Sequence, residues 1–302
     1  MSTLEGVLEM KIQADCVPCL MKRILFQSRL AEGADDFRSV ESAVRALADN
    51  ISSEKRSVDV ATPVHAASYA VLGNDPYHDL KVEADEVAGR FVDTAQEIVD
   101  RSDDPLRAAL LVSVIGNIMD FGSGVAIDDP SEFEGVFQQL VDQGIGSDDT
   151  DRLRSVLEND GDVVYIFDNC GESQLDKVMI RHLRSMGKRV VGVVRGAPIL
   201  NDVTYEDAVR SGLDRELDAL MTTGKFYIGV DPEDMPSDLV AQLESTCVII
   251  AKGMANYESL SDEALVVPIA HVLRAKCVPV ANSLGVEVGT NVVRLREPEA
   301  IQ

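Results

Sequence analysis

Val163-Val164-Tyr165-Ile166-Phe167-Asp168-Asn169-Cys170-Gly171-Glu172 is the stretch on which the reading of the fold turns. Its first half is a short apolar run rich in β-branched residues. Its second half is polar and leads into a helical segment, 172–186. An uninterrupted apolar strand feeding a helix predicts a β–α unit of a parallel sheet covered on both faces. Further apolar runs follow at 189–194, 226–230, 247–251, 265–270 and 292–295. Helical stretches at 205–211, 213–221 and 236–243 separate most of them.

Upstream of residue 160 the period is helical and no strand is expected. Apolar residues recur at helical spacing in 16–30 (Leu20, Ile24, Leu25) and 39–51 (Val40, Val44, Leu47). Asp75-Pro76 reads as a cap and first-turn proline opening a long amphipathic run, 77–99. Pro105 opens another helix over 106–121, and two shorter ones are expected at 132–141 and 149–157. The expected organisation is an all-α helical region over 1–155, followed by a Rossmann-like three-layer α/β domain with a parallel sheet over 156–302, which carries the site.

Ligands of open α/β sheets sit at the carboxyl ends of the strands. Three strand ends here are polar. The first leads into Asp168-Asn169-Cys170-Gly171-Glu172, the second into Arg195-Gly196-Ala197-Pro198-Ile199-Leu200-Asn201-Asp202, and the fourth into Lys252-Gly253-Met254-Ala255-Asn256-Tyr257-Glu258. Parallel strands would bring these clusters to one crevice. Carboxylate and amide oxygens suit Mg²⁺ or another hard divalent ion, and Asp168, Asn169 and Asp202 fit that task. Gly171 ahead of a helix offers N–H groups to an anion, and Lys252 or Arg195 could neutralise charge on phosphoryl oxygens. Each piece also has an ordinary structural reading: Asp168 to Gly171 as a turn and helix cap, Asn201-Asp202 as a cap, Lys252-Gly253 as a solvated strand end. Their conjunction at three strand ends favours a site.

Composition excludes other classes. With 52 Asp+Glu against 28 Lys+Arg, the net charge of −24 repels phosphate backbones and anionic lipid, and no basic patch offsets it. The 31 Asp and 9 Lys give an Asp-rich, Lys-poor surface, which suits either an acidic mesophilic protein or one adapted to high salt. No run approaches the roughly 18 apolar residues of a membrane-spanning helix. The segment 1–11, with Glu5 and Glu9, has no signal-peptide core. Five cysteines (Cys16, Cys19, Cys170, Cys247, Cys277) do not form a disulfide framework, so a reduced, cytoplasmic protein is expected. GxGxxG, Walker A and GxSxG motifs are absent, and His65, His78, His182 and His271 have no metal-ligand spacing.

Taken in order, these three clusters resemble the metal-dependent damage-control phosphatases, long known only as a domain of unknown function. The small stand-alone archaeal-type members look most similar. The resemblance covers nearly the whole chain and includes Cys16-Val17-Pro18-Cys19, Asn74-Asp75-Pro76-Tyr77, Gly116-Asn117-Ile118-Met119-Asp120 and Leu273-Arg274-Ala275-Lys276-Cys277. It implies helical subdomains packed on a Rossmann-like domain and hydrolysis of a small phosphomonoester, a sugar phosphate or a damaged phosphometabolite. It also implies a divalent metal (Mg, Mn, Co or Ni) on Asp168, Asn169 and Asp202.

The expected mechanism is a metal-activated water attacking in line, with Asp168 as covalent nucleophile its rival. Lys252 would hold the phosphate, with Lys276 a second candidate. Asn117 and Asp120, three apart, would reach the crevice from one helix face or clamp the two regions together. Arg195, Gly196, Glu172, Asn201, Asn256 and Glu258 complete the expected substrate contacts, Asn256 and Glu258 being divided between ligand contact and loop structure. The expected partner is a small phosphorylated metabolite, not nucleic acid or membrane. A carboxyl methyltransferase using S-adenosylmethionine and a non-enzymatic binding protein are the competing functions. The Cys16/Cys19 pair has three open readings: structural, metal-binding or redox.

Overall fold

The computed structural model describes residues 10–73, 75–121, 129–264 and 266–298. Asn74 of the second quoted motif, Leu265 of an expected strand, and the first nine residues lie outside them.

The chain opens with helices α1 (Cys16–Leu30), α2 (Asp36–Asn50) and α3 (Ser57–Leu72). Their apolar stripes meet in one cluster: Ile12, Leu20 and Ile24 against Ala43, Leu47, Val60 and Val64. Asp35 caps α2 through the Arg38 N–H at 2.9 Å. Helix α3 has no counterpart among the expected helices. Pro63 lies inside it and interrupts the sequence signal, while its buried face holds it in place. The run expected as one helix over 77–99 is two, α4 (His78–Gly89) and α5 (Val92–Asp100). Asp75 does not cap α4 directly; its Oδ1 accepts the Tyr77 N–H at 3.0 Å, a turn just ahead of the helix. Helix α6 (Pro105–Ile115) is capped by Asp104 and gives way to a 3₁₀ turn over Gly116–Ile118. Asn117 and Asp120 therefore do not share a helix face. α7 (Phe133–Gln143) follows.

A two-residue strand, β1 (Ser147–Asp148), precedes α8 (Thr150–Leu157), where no strand was expected. Then come β2 (Val163–Ile166), α9 (Glu172–Ser185), β3 (Val190–Val194) and α10 (Tyr205–Ser211). They are followed by β4 (Ala219–Thr222), α11 (Ser237–Glu244), β5 (Val248–Lys252) and α12 (Gly253–Leu260). The chain closes with β6 (Ile269–Arg274), α13 (Val278–Leu284) and β7 (Asn291–Arg296). The order across the sheet is β1-β7-β6-β5-β2-β3-β4.

Strands β4, β3, β2, β5 and β6 run parallel, as expected, but β7 pairs antiparallel with β6. The sheet is thus mixed at one edge.

Residues 213–221, expected as helix, hold a 3₁₀ turn and β4. Ala219, Leu220 and Met221 favour helices intrinsically, but pairing with β3 overrides that preference. Residues 226–230, expected as a strand, are irregular. Gly229 lies in the left-handed region, and Tyr227 and Ile228 are apolar because they pack on Val58, Tyr77, Ile199 and Leu200. The strand expected from residue 265 begins at Ile269.

Strand alternation explains the layers. Val163, Tyr165 and Phe167 join one core with residues of α6 and α9. Val164 and Ile166 face the opposite core with Val191, Val193, Leu239 and Leu260. The first core runs unbroken from Ala84 to Leu295. Gly192 makes room in it, since a Cβ there would meet Leu217 Cδ1 at 2.5 Å.

Candidate active site

Because β5, β2 and β3 are adjacent and parallel, their carboxyl ends lie side by side. An isolated bridge pairs Asn169 with Asp202, and the Val203 N–H donates to the Asp168 carbonyl at 2.8 Å. The strand ends thus hold both acids and the amide within one backbone frame. Gly253, with φ of 74°, turns the chain out of β5 against Asp168. A Cβ there would lie 1.8 Å from Asp168 Oδ2, so only glycine fits.

Asp168, Asn169 and Asp202 line a cavity of about 370 Å³. Asp120, Lys276 and Glu258 line it too. Its other walls come from α1, α3, the two loops that carry Leu200 and Ile228, and the start of α13. Apolar side chains such as Leu20, Val58, Leu200 and Ile228 form much of these walls.

The remaining expected site residues are adjacent to this set but set back from the cavity wall. Arg195 is buried and braces the acids: Nε donates to Asp202 Oδ2 at 2.6 Å, Nη2 to Asp168 Oδ1 at 3.4 Å and Nη1 to Asn256 Oδ1 at 3.0 Å. Asn256 spends its own Nδ2 on the Phe167 and Lys252 carbonyls. Asn117 donates to Asp168 Oδ2 at 3.2 Å and to Glu172 Oε2 at 2.8 Å. Asn201 donates to the Met119 carbonyl, and its Oδ1 is buried with no partner among the described residues. Gly196 packs on the Gly224–Lys225 backbone, where a Cβ would come within 2.2 Å.

Lys252 departs most from expectation. Its ammonium is fully buried and donates to Glu172 Oε1 at 2.6 Å, Asp176 Oδ1 at 2.7 Å and the Ser113 carbonyl at 3.0 Å. It stands one layer behind the cavity. The N–H of Gly171, expected to face an anion, donates instead to Asp85 Oδ1 at 2.8 Å.

Sequence reasoning missed Arg23. From α1 it lines the cavity and forms a two-pronged pair with Asp120, at 2.8 and 3.0 Å. Lys276 Nζ lies 2.7 Å from Asp120 Oδ2 and donates to the Asn117 carbonyl at 2.8 Å. Two cations thus share one carboxylate at the cavity wall. Burial alone would raise the Asp120 pKa, but Arg23 and then Lys276 outweigh it and hold the carboxyl well below the usual range. The only sequence cue to Arg23 is its i,i+4 spacing from Cys19, within the first quoted motif.

The electrostatics at the strand ends run the other way. Burial, and then the Asp202 charge, push the Asp168 carboxyl well above its usual pKa; burial also raises Asp202, against the pull of Arg195. Arg195 bonds both carboxylates but does not offset their burial and mutual repulsion fully, which leaves the pair able to take a further cation. Asn169 spends its Nδ2 on Asp168 Oδ2 and Glu172 Oε2, so its remaining polar atom is the acceptor Oδ1. Among the described residues no group of three or more His, Cys, Asp or Glu side chains is disposed to hold a metal. The donor set is two carboxylates and an amide, all oxygen, and it fits a hard divalent ion that keeps water or substrate oxygens as further ligands.

The fold and this crevice define the class: a mixed α/β protein with a carboxylate–amide site at the carboxyl ends of its parallel strands. The model of the damage-control phosphatase ARMT1-like domain matches residues 12–292. A damage-control phosphatase of Archaeoglobus fulgidus is 38% identical over 95% of this chain and 100% of its own length. One of Pyrococcus horikoshii is 28% identical over 94% and 97%. The crystal structure of a DUF89 family protein from P. horikoshii superposes with a TM-score of 0.81 at 26% identity, covering 94% of this chain and 99% of that one. This chain belongs to the ARMT1-like damage-control phosphatase family, and that membership supports a phosphatase-type function. Among the described residues no helix is long and apolar enough to cross a membrane.

Proposed function

We propose that this chain is a divalent-metal-dependent phosphatase that hydrolyses a small phosphomonoester, a sugar phosphate or a damaged phosphometabolite. The observation that carries the reading is the shared cavity: Asp168, Asn169 and Asp202 line it together with Lys276 and Arg23. Asp168, Asn169 and Asp202 would hold the ion. When bound, a divalent ion there offsets the two carboxylates and supplies Lewis-acid polarisation of a phosphate and a water.

The chain's own residues do the rest. Lys276 has a third N–H to offer a phosphoryl oxygen, and Arg23 sets its height by sharing Asp120 with it. Arg195 and Asn117 fix the rotamers of Asp168 and Asp202, so the acids reach the substrate preorganised. The apolar walls keep bulk water from the reacting phosphorus. Lys252 acts through Glu172, which holds Asn169 and Asn117 in register, rather than on the phosphate. Five free cysteines support a cytoplasmic setting.

The test is phosphate release from p-nitrophenyl phosphate and a sugar-phosphate panel, with EDTA and with Mg²⁺, Mn²⁺, Co²⁺ or Ni²⁺ restored. Turnover that appears only with metal supports the reading. Turnover unaffected by chelation, or none with any metal, overturns it.

A further inference from the structure

The Cys16-Val17-Pro18-Cys19 motif has no task in the phosphatase reading, yet the structure places it at the same cavity. Cys16 and Cys19 occupy the first turn of α1, are half-buried, and line the cavity with Asp168, Asn169 and Asp202. Residues three apart on an α-helix have Cα atoms about 5 Å apart. That lies within the roughly 4.4–6.8 Å that a disulfide spans. Pro18 sits in the first turn, where a helix tolerates it. Burial raises the Cys16 thiol above its ordinary pKa, and the Gln13 N–H, which donates to Cys16 Sγ at 3.5 Å, offsets only part of this. A third sulfur, Cys277, lines the cavity from the start of α13. Burial, and then the Glu258 charge, push its thiol up to about 12, which makes it the poorer nucleophile.

We propose that Cys16 and Cys19 form a reversible dithiol–disulfide site in the wall of the active cavity, oxidised by a low-molecular-weight disulfide of the glutathione class. One cysteine, as thiolate, attacks a sulfur of the small disulfide. That S–S bond breaks and one small thiol leaves. The second cysteine sulfur then displaces the other small thiol and closes the Cys16–Cys19 bond. Two protein thiols are oxidised and one small disulfide is reduced to two small thiols. The helical turn sets the two sulfurs on one face before oxidation, so the folded chain favours closure over the unfolded one. Cys19 lies one turn from Arg23 on the same face of α1, so the bridge bears directly on the turn that carries the Asp120 pair. The assignment is independent of the phosphatase reading, because its readout is the bridge itself.

The full chain is equilibrated across a series of glutathione disulfide-to-thiol ratios, quenched, alkylated and digested with trypsin. Cleavage after Lys11 and Lys22 yields one peptide, 12–22, that holds both cysteines. The expected result is loss of two hydrogens from this peptide, reversed by dithiothreitol, in the wild type and in Cys277→Ser alike. Cys16→Ser and Cys19→Ser abolish it. Half-oxidation of the folded protein is expected at a ratio several-fold lower than for the chain in urea. The proposal is overturned if the peptide stays reduced at the highest disulfide excess or ends only as glutathione adducts. A bridge to Cys277, or equal ratios for folded and unfolded chain, overturns it as well.

Discussion

Arg23 and Glu258 both contribute to the charge of the cavity wall. Arg23 is the partner that secures Asp120 beside Lys276. Arg23→Ala leaves a buried carboxylate with one cation instead of two. Unfolding free energy is expected to fall by about 1–3 kcal/mol, less than for a fully orphaned buried charge because Lys276 remains. In denaturant titration the midpoint should drop accordingly, and Arg23→Lys should recover part of the loss. In kinetics, KM is expected to rise more than kcat falls. Glu258 makes the second prediction. Burial pushes its carboxyl from 4.5 up to about 7, against the pull of Arg23 and Lys276. The folded state therefore holds a proton that the unfolded state releases between these values. This contribution to stability is full below pH 4.5 and is lost as pH rises through 7, a change on the order of a few kcal/mol. Glu258→Gln should flatten that part of the stability–pH profile measured by denaturant unfolding; an unchanged slope would contradict the assignment.

At the scale of elements, the central strands and their polar ends were legible because burial on both faces writes an unbroken apolar run, as in β2, β3 and β5. Position in the sheet was not. β7 reads like the other strands, yet it runs antiparallel, because strand direction is set by the connection through α13 and not by composition. β4 was hidden by helix-favouring Ala219, Leu220 and Met221, and α3 by Pro63. The acids and amide of the site were legible as strand-end residues. Arg23 was not, since nothing local in α1 marks it as facing Asp120, 97 residues away. Lys252 shows the converse. Its place at a strand end suggested a phosphate ligand, whereas packing of α6 and α9 on the sheet buries it between Glu172 and Asp176. Lys252→Met would leave two buried carboxylates without their cation, and unfolding free energy should fall by about 3–5 kcal/mol. Phosphate at saturating concentration should not protect this variant differently from wild type if Lys252 is a brace; selective loss of phosphate protection would point to direct contact.

Over the whole molecule, a net charge of −24 surrounds a cavity wall that holds Arg23 and Lys276. Like charges across the surface oppose compaction, and salt shortens their reach from about 10 Å at 0.1 M to about 3 Å at 1 M. The melting temperature by scanning calorimetry should therefore rise as NaCl increases over this range; a fall would contradict a stability limited by surface repulsion. The same screening leaves the buried Asp168–Arg195–Asp202 set largely untouched, so salt and the proposed metal would act on separate parts of the molecule. The central claim is that these strand-end acids hold the metal on which turnover depends. It is tested most directly by metal-stimulated phosphate release from wild type, Asp168→Ala and Asp202→Ala side by side, with folding checked by melting. Both variants are expected to fold and to lose metal-stimulated turnover. Turnover retained in either folded variant would contradict the claim.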